Sequence, residues 1–481
     1  MRNVSDIQNI FFLGIGGIGM SALARYFSRE LSAVSGQHYR VCGYDRTPSE
    51  LTRELETEGI VIIYNDCMDD FKLMMDDFDL KSSNTLVVRT PAVPEDSAIY
   101  TYLREQGFDI MKRAEVLGMV TRKKKALCVA GTHGKTTTST MIAHLLEAKK
   151  GVNAFLGGIS LNYNTNVLID PESEYVVVEA DEYDRSFHHL TPYISVVTAV
   201  DADHLDIYGT AEAYREAFAH YTSLITGALV MKHGIALKPR LNSNVKCFTY
   251  GVQSTDRFTD SVQTELPDCY AEKIRVADGQ IVFDYVSPLA TIKDINLGVP
   301  VWVNIENAVA AITVALLVGV SEEQIKAQMA AFKGVWRRFN IHVNTPKVAY
   351  IDDYAHHPQE IATAIDSIRK LYPHCRLIGV FQPHLYTRTR DFADGFRQVL
   401  DTLDECILLP IYPAREEPIP GVTSEMLLTN GRVVEKKDLV MVLRDKVQST
   451  KEPLVILTVG AGDIDRLVPV ITNELMNELG N

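Results

Sequence analysis

The chain has 481 residues, 46% hydrophobic and 23% charged, with a formal net charge of −14. That length exceeds a single hydrophobic core and suits two to four domains, and the acidic balance argues against nucleic-acid or anionic-membrane partners, which need a basic face. No apolar run approaches a membrane span, seven scattered cysteines form no CxxC, and the N-terminal stretch lacks a signal-peptide pattern, so a cytoplasmic protein without zinc knuckle or disulfide framework is expected.

The first elements are a strand at 10-IFFL-13, the loop Gly14-Ile15-Gly16-Gly17-Ile18-Gly19, a helix over 20–31 and a strand at 39–45. This βαβ start carries GxGxxG, in which Gly14, Gly16, Gly17 and Gly19 let the backbone approach a nucleotide diphosphate and Asp45 can meet a ribose hydroxyl. NAD fits that loop as well as other nucleotides do. A strand at 85-TLVVR-89 runs into 90-TPAVP-94, whose prolines force a loop at the carboxyl edge where such sheets bind ligands, making Thr90 a candidate contact.

A basic run in 119-MVTRKKKA-126 marks a boundary before the strand 126-ALCVA-130. There follow Gly131, Thr132, His133, Gly134, Lys135, Thr136 and Thr137, opening a helix that runs to 148. Amides at that helix start and the Lys135 ammonium can neutralise β and γ phosphates of ATP, while Thr136 can join a Mg²⁺ shell. The segment departs from the plain Walker pattern at Val129. Two acidic strand ends, 179-EADEYD-184 and 201-DADHLD-206, add Glu179, Asp181, Glu182, Asp184, Asp201, Asp203, His204 and Asp206, hard ligands and one imidazole suited to Mg²⁺.

Further on, Asp278-Gly279 marks a hairpin turn and helices are expected over 304–318 and 321–332, the second capped by Ser321. The pattern then restarts with strands at 348–353, 376–382, 405–410 and 454–460 and helices over 358–372 and 387–403. Here Asp353, His356, His357, His384, Arg388 and Arg390 fall at strand carboxyl ends. With no third soft ligand nearby, hydrogen bonding or grip on a substrate carboxylate is favoured over zinc. Arg337 and Arg338 fall at a suspected hinge.

Taken together, 13-LGIGGIGMS-21, 131-GTHGKTTT-138, 157-GGISLNYNTN-166, 179-EADE-182, 203-DHLD-206, 304-NIENAVAA-311, 336-WRRF-339, 351-IDDYAHHP-358, 382-QPHLYTRTR-390 and 459-VGAGD-463 resemble the Mur ligase family in order and spacing. The resemblance implies an α/β protein of three domains: an N-terminal Rossmann-like domain (1–120), a central P-loop-type ATPase sheet (121–335) and a C-terminal Rossmann-like α/β domain (336–481). It implies ATP-dependent joining of L-alanine to the lactyl carboxylate of UDP-N-acetylmuramate, with two Mg²⁺ ions. The loop at Gly14 would then hold UDP diphosphate, and Lys135 the ATP phosphates. Thr136 and Glu179 would bind one Mg²⁺ and His204 a second. Asn304 and Arg338 would contact ATP, Asp353 its ribose, and His384 and Arg388 the alanine or the transferred group. Val303 and Leu385 stand where the family usually has His and Arg. The alternative is the related ligase that attaches a whole tripeptide, but 187-FHHLTPYISVV-197 runs into the next strand without that branch's insertion.

Overall fold

A computed structural model describes residues 7–30, 36, 38–202, 205–253, 266–277, 280–414, 416–428 and 430–480. Asp203, His204 and the Asp278-Gly279 turn lie outside the described residues. Among those described, the strands form three sheets.

The first sheet comprises β1 (Asn9–Leu13), β2 (Arg40–Tyr44), β3 (Val61–Ile63), β4 (Thr85–Arg89) and β5 (Asp109–Lys112), in the order β3-β2-β1-β4-β5. Its strands pair in parallel, with Leu13 opposite both Tyr44 and Arg89. All five residues of β1 are buried, as a parallel strand covered by helices on both faces requires. The chain order reverses at β1, so the crevice at its carboxyl end, next to β4, is the switch point where such sheets bind ligands.

The second sheet holds β6 (Lys125–Ala130), β7 (Asn153–Ser160), β8 (Thr165–Leu168), β9 (Tyr175–Ala180), β10 (Pro192–Val197), β11 (Ala228–Lys232), β12 (Lys246–Val252), β13 (Cys269–Ala277), β14 (Gln280–Val286) and β15 (Thr291–Asn296). Its order is β15-β14-β13-β12-β11-β10-β6-β9-β7-β8, with β6 between the two strands that carry the acidic ends. The third sheet runs β16-β17-β21-β18-β19-β20, from β16 (Asn340–Asn344), β17 (Val348–Asp353), β18 (Arg376–Phe381), β19 (Glu405–Leu408), β20 (Gly431–Val433) and β21 (Leu454–Val459). It is parallel except for β16, which pairs antiparallel with β17.

The chain divides into two compact units, one of Met1–Ile274, Phe283–Asn296 and Glu306–Lys333, the other of Arg275–Val282, Leu297–Ile305 and Gly334–Asn481. The first unit contains the region expected as the first domain and most of that expected as the second, of which Arg275–Val282, Leu297–Ile305 and the last residues from Gly334 fall in the second unit. Its main apolar cluster is continuous from Phe12 and Leu23 through Val120 to Val176 and Phe218. Tyr26 and Phe155 rings lie 5.3 Å apart, and buried Arg25 donates to Asn166 at 2.9 Å, tying the first helix, Ile18–Arg29, to the central sheet. The expected boundary at 120 falls inside the helix Arg113–Lys123, which leads almost directly into β6. A basic run looked like a linker because its charges face water while Val116, Leu117 and Val120 are buried.

One other expectation changes. The helix predicted over 387–403 is two helices, Tyr386–Asp391 and Ala393–Leu400, broken at Phe392, whose φ of −111° and ψ of 17° leave the helical region. The expected cap at Ser321 is present: it precedes the helix Glu322–Ala331, and Ser321 and Gln324 exchange reciprocal side-chain to backbone hydrogen bonds. All seven cysteines are free thiols. No helix among the described residues is long and apolar enough to cross a membrane.

Candidate functional site

In the first unit the glycine loop after β1 takes its shape from two neighbours, Thr90 and Asp45. Gly14 has φ +85° and lies so close to Thr90 that a Cβ would come within 2.4 Å of the threonine methyl. Gly17 caps the helix Ile18–Arg29, and Gly19 is its second residue. Asp45, expected on a ribose, spends one oxygen on the Gly16 N–H at 2.7 Å and the other on the Thr47 N–H at 3.1 Å. It braces the loop. The amides and helix start that remain can hold a diphosphate.

The second loop follows β6 in the same way. Gly131 has φ +133° and a Cβ there would meet Thr198 Oγ1 at 2.2 Å, so both conformation and space demand glycine. Thr198 donates to the carbonyls of Ala130 and His133, and the Thr132 N–H donates to Ala199 O at 3.2 Å, pinning the loop to the end of β10. Thr132 Oγ1 also donates to Asp201 O at 2.8 Å. Gly134, at φ +82°, caps the helix Lys135–Lys150, whose first turn carries Thr136 and Thr137.

Lys135 is nearly enclosed. Its ammonium donates to Gly131 O at 2.6 Å and to both carboxylate oxygens of Glu182, at 2.9 and 2.8 Å. Glu182 is 2% exposed, and its carbonyl accepts from the Tyr208 hydroxyl. Burial opposes the charge on Lys135, but Glu182, with Glu179 and Asp181 behind it, outweighs that and holds its pKa above the ordinary lysine value. Sequence reasoning placed Glu182 in an acidic run but gave it no separate role. Which of several neighbouring acids turns inward depends on the turn after β9, where Asp184 and Arg185 take φ of +51° and +55°.

Thr136 Oγ1 donates to Glu179 Oε1 at 2.7 Å. Two hard oxygens therefore converge at the carboxyl ends of β6 and β9. Mg²⁺ keeps several waters and takes one or two protein ligands beside phosphate oxygens, so this pair fits the ion expected there. Among the described residues no group of three His, Cys, Asp or Glu forms a metal cluster, and His204, the third expected ligand, is outside them.

In the second unit, Asp353 ends β17 with Oδ2 accepting from Phe339 N–H at 2.8 Å and Oδ1 from Ala355 N–H at 2.7 Å. Burial raises its pKa to about 6 despite Arg338 nearby. Arg337 and Arg338 both lie over the Tyr354 ring but differ otherwise. Arg337 is buried and donates to the carbonyls of Gly460 and Gly462, whereas Arg338 keeps its guanidinium free of ion pairs among the described residues. Asn304 is buried at the start of the helix Val303–Leu317, and its N–H donates to Val301 O at 2.9 Å.

His384 follows β18, stacked on Tyr412 at 5.9 Å and 6.3 Å from the ring of His356. Arg388 lies one helical turn on, and its guanidinium has no hydrogen-bond or ion-pair partner among the described residues. Burial first, then Arg388 and His356, lowers the His384 pKa to about 4. Burial likewise lowers His356, with Arg388 and Arg338 adding to it. Two free guanidiniums beside two neutral imidazoles suit a carboxylate or phosphate. In an NMR titration the His384 ring is expected to stay neutral from pH 8 down to 5 and to gain its proton only near pH 4. A midpoint near 6.5 would mean that the ring is neither buried nor crowded by Arg388 as described.

Three family models match: Mur ligase family, catalytic domain over residues 9–125, Mur ligase middle domain over 129–315 and Mur ligase, glutamate ligase domain over 337–462. The chain is 52% identical over 478 residues to the UDP-N-acetylmuramate--L-alanine ligase of Phocaeicola vulgatus, covering 98% of both chains. It is 50% identical to the protein of that name from Parabacteroides distasonis, covering 99% of both. A crystal structure of UDP-N-acetylmuramate-alanine ligase from Thermotoga maritima superposes with a TM-score of 0.75 at 27% identity, over 98% of this chain and 99% of that one.

Proposed function

Since the chain belongs to the Mur ligase family, we propose that it joins L-alanine to the lactyl carboxylate of UDP-N-acetylmuramate with ATP, as a cytoplasmic step of peptidoglycan synthesis. The observation that carries this reading is that both glycine loops lie in the first unit and that Arg113, whose guanidinium lies against Gly19 of the first loop, reaches Asp181 Oδ2 at 3.2 Å at the end of β9, the strand beside the β6 that leads into the second loop. A nucleotide diphosphate on the first loop and a triphosphate on the second would be neighbours.

In the proposed reaction a carboxylate oxygen attacks the γ-phosphorus of ATP, the bond to ADP breaks, and an acyl phosphate results. The alanine amine then attacks the acyl carbon, phosphate leaves, and the nitrogen gives up a proton to complete the amide. Both starting groups are anionic, so the chief task is neutralisation and alignment. Lys135 supplies a fixed cation at the phosphate loop. Thr136 and Glu179 would hold one Mg²⁺ and His204 a second, and the ions would supply screening of the transferring charge. The guanidinium of Arg388, with His384, suits the carboxylate of the incoming amino acid in the second unit, and Arg338 would contact ATP.

The test is ADP release by the full chain with ATP, MgCl₂ and UDP-N-acetylmuramate against L-alanine, glycine, L-serine and the tripeptide. ADP release that depends on L-alanine, with a product heavier by one alanyl residue, is expected. Release driven by the tripeptide alone would replace this reading with the recycling ligase.

A further inference from the structure

Arg113 carries no role in the chemistry described so far beyond its contact with Asp181. It is the first residue of the helix Arg113–Lys123, directly after β5, an edge strand two places from β1. Its side chain crosses to the first glycine loop and lies on Gly19, where a Cβ would come within 2.5 Å of Nη1 and 3.3 Å of Cζ. Any larger residue at 19 would push the guanidinium away.

A guanidinium has five N–H donors. Only Nη2 has a hydrogen-bond partner among the described residues, on Asp181, and the side chain is 31% exposed. Nη1 and Nε remain available beside amides already shaped for a diphosphate. The Asp181 contact keeps the fork from swinging into solvent, and Lys112 holds the same acidic turn through Asp184 at 2.9 Å. A pre-oriented cation with spare donors at the mouth of an anion loop suits a charge-assisted hydrogen bond to an oxyanion.

We propose that Arg113 is a substrate-binding residue, whose Nη1 donates to an oxyanion of the sugar nucleotide while Nη2 stays on Asp181. The inference rests on the proposed function, since it presupposes a nucleotide sugar on the first loop. Two oxyanions of that substrate share the required chemistry, the diphosphate and the lactyl carboxylate.

Calorimetric titration of the full chain and of Arg113→Ala with UDP, UDP-N-acetylglucosamine and UDP-N-acetylmuramate tells them apart. Loss of a charge-assisted pair is expected to weaken binding by about 10- to 100-fold. Weakening of all three ligands assigns Arg113 to the diphosphate, and weakening of UDP-N-acetylmuramate alone assigns it to the carboxylate. Either result supports the proposal. Binding of all three within twofold of the unsubstituted chain overturns it. Should Arg113→Ala fail to fold, Arg113→Lys serves, because it keeps a cation but has one nitrogen in place of the two that serve Asp181 and the ligand; unchanged affinity there overturns the proposal too. If the unsubstituted chain binds none of the three, the proposed function itself falls, whatever the variants do.

Discussion

Replacing Lys135 by alanine is expected to lower alanine-dependent ADP release by about 10³-fold, the scale of removing a fixed charge from a transferring phosphoryl group. The substitution has a second effect that must be separated from the first. Glu182 is 2% exposed and both its oxygens rest on the Lys135 ammonium, so alanine at 135 leaves a buried carboxylate with no counter-ion. Breaking such a pair from one side costs about 3–5 kcal/mol. A loss of activity could then come from a loosened loop rather than from lost chemistry. The double variant Lys135→Ala, Glu182→Gln resolves this, since a neutral amide needs no cation. Its melting temperature is expected to recover toward that of the unsubstituted chain while turnover stays at the level of Lys135→Ala. Near-normal turnover in either variant would remove Lys135 from the phosphate site.

The parts of this site legible in the sequence are those whose chemistry is local. A glycine loop between a strand and a helix, with Lys135 and Thr136 at the helix start, needs only neighbours in the chain, and the structure has Gly131, Gly134, Lys135 and Thr136 in that arrangement. Acids after strands are visible for the same reason, although Glu182 rather than Asp181 turns inward. Arg113 was invisible, because a lone arginine after a strand acquires meaning only when the order β3-β2-β1-β4-β5 brings the end of β5 within reach of the loop after β1. The Arg337 and Arg338 pair is a similar case. Their adjacent positions say nothing of which is internal, and φ of +60° at Arg337 and +54° at Phe339 is what turns Arg337 onto the Gly460 and Gly462 carbonyls. The α/β class followed from strand and helix periodicity. The ten-strand order of the central sheet did not, since β6 pairs with β9 and β10, remote in sequence, rather than with β7, the next strand.

Gly157 offers a sharper test of the metal site than substitution of its ligands. It lies in β7, next to β9, and it is absent from the positions with left-handed φ, so alanine is conformationally acceptable there. Space is the difficulty: a Cβ would stand 1.7 Å from Glu179 Oε2 and 2.6 Å from Cδ. The obstacle is the end of a flexible side chain, so the strands can stay in place while the Glu179 carboxylate moves off Thr136. Gly157→Ala is therefore expected to fold with a melting temperature close to that of the unsubstituted chain. If Glu179 holds Mg²⁺, its displacement should raise the Mg²⁺ concentration for half-maximal ADP release by about 10- to 100-fold, the usual effect of disturbing the support of a metal ligand. Excess Mg²⁺ should then restore part of the rate. A folded Gly157→Ala with an unchanged Mg²⁺ titration would take the ion away from Glu179. The cycle with Glu179→Ala closes the argument: if Gly157 acts only through that carboxylate, the double variant should titrate like Glu179→Ala alone, because a ligand already removed cannot be displaced again.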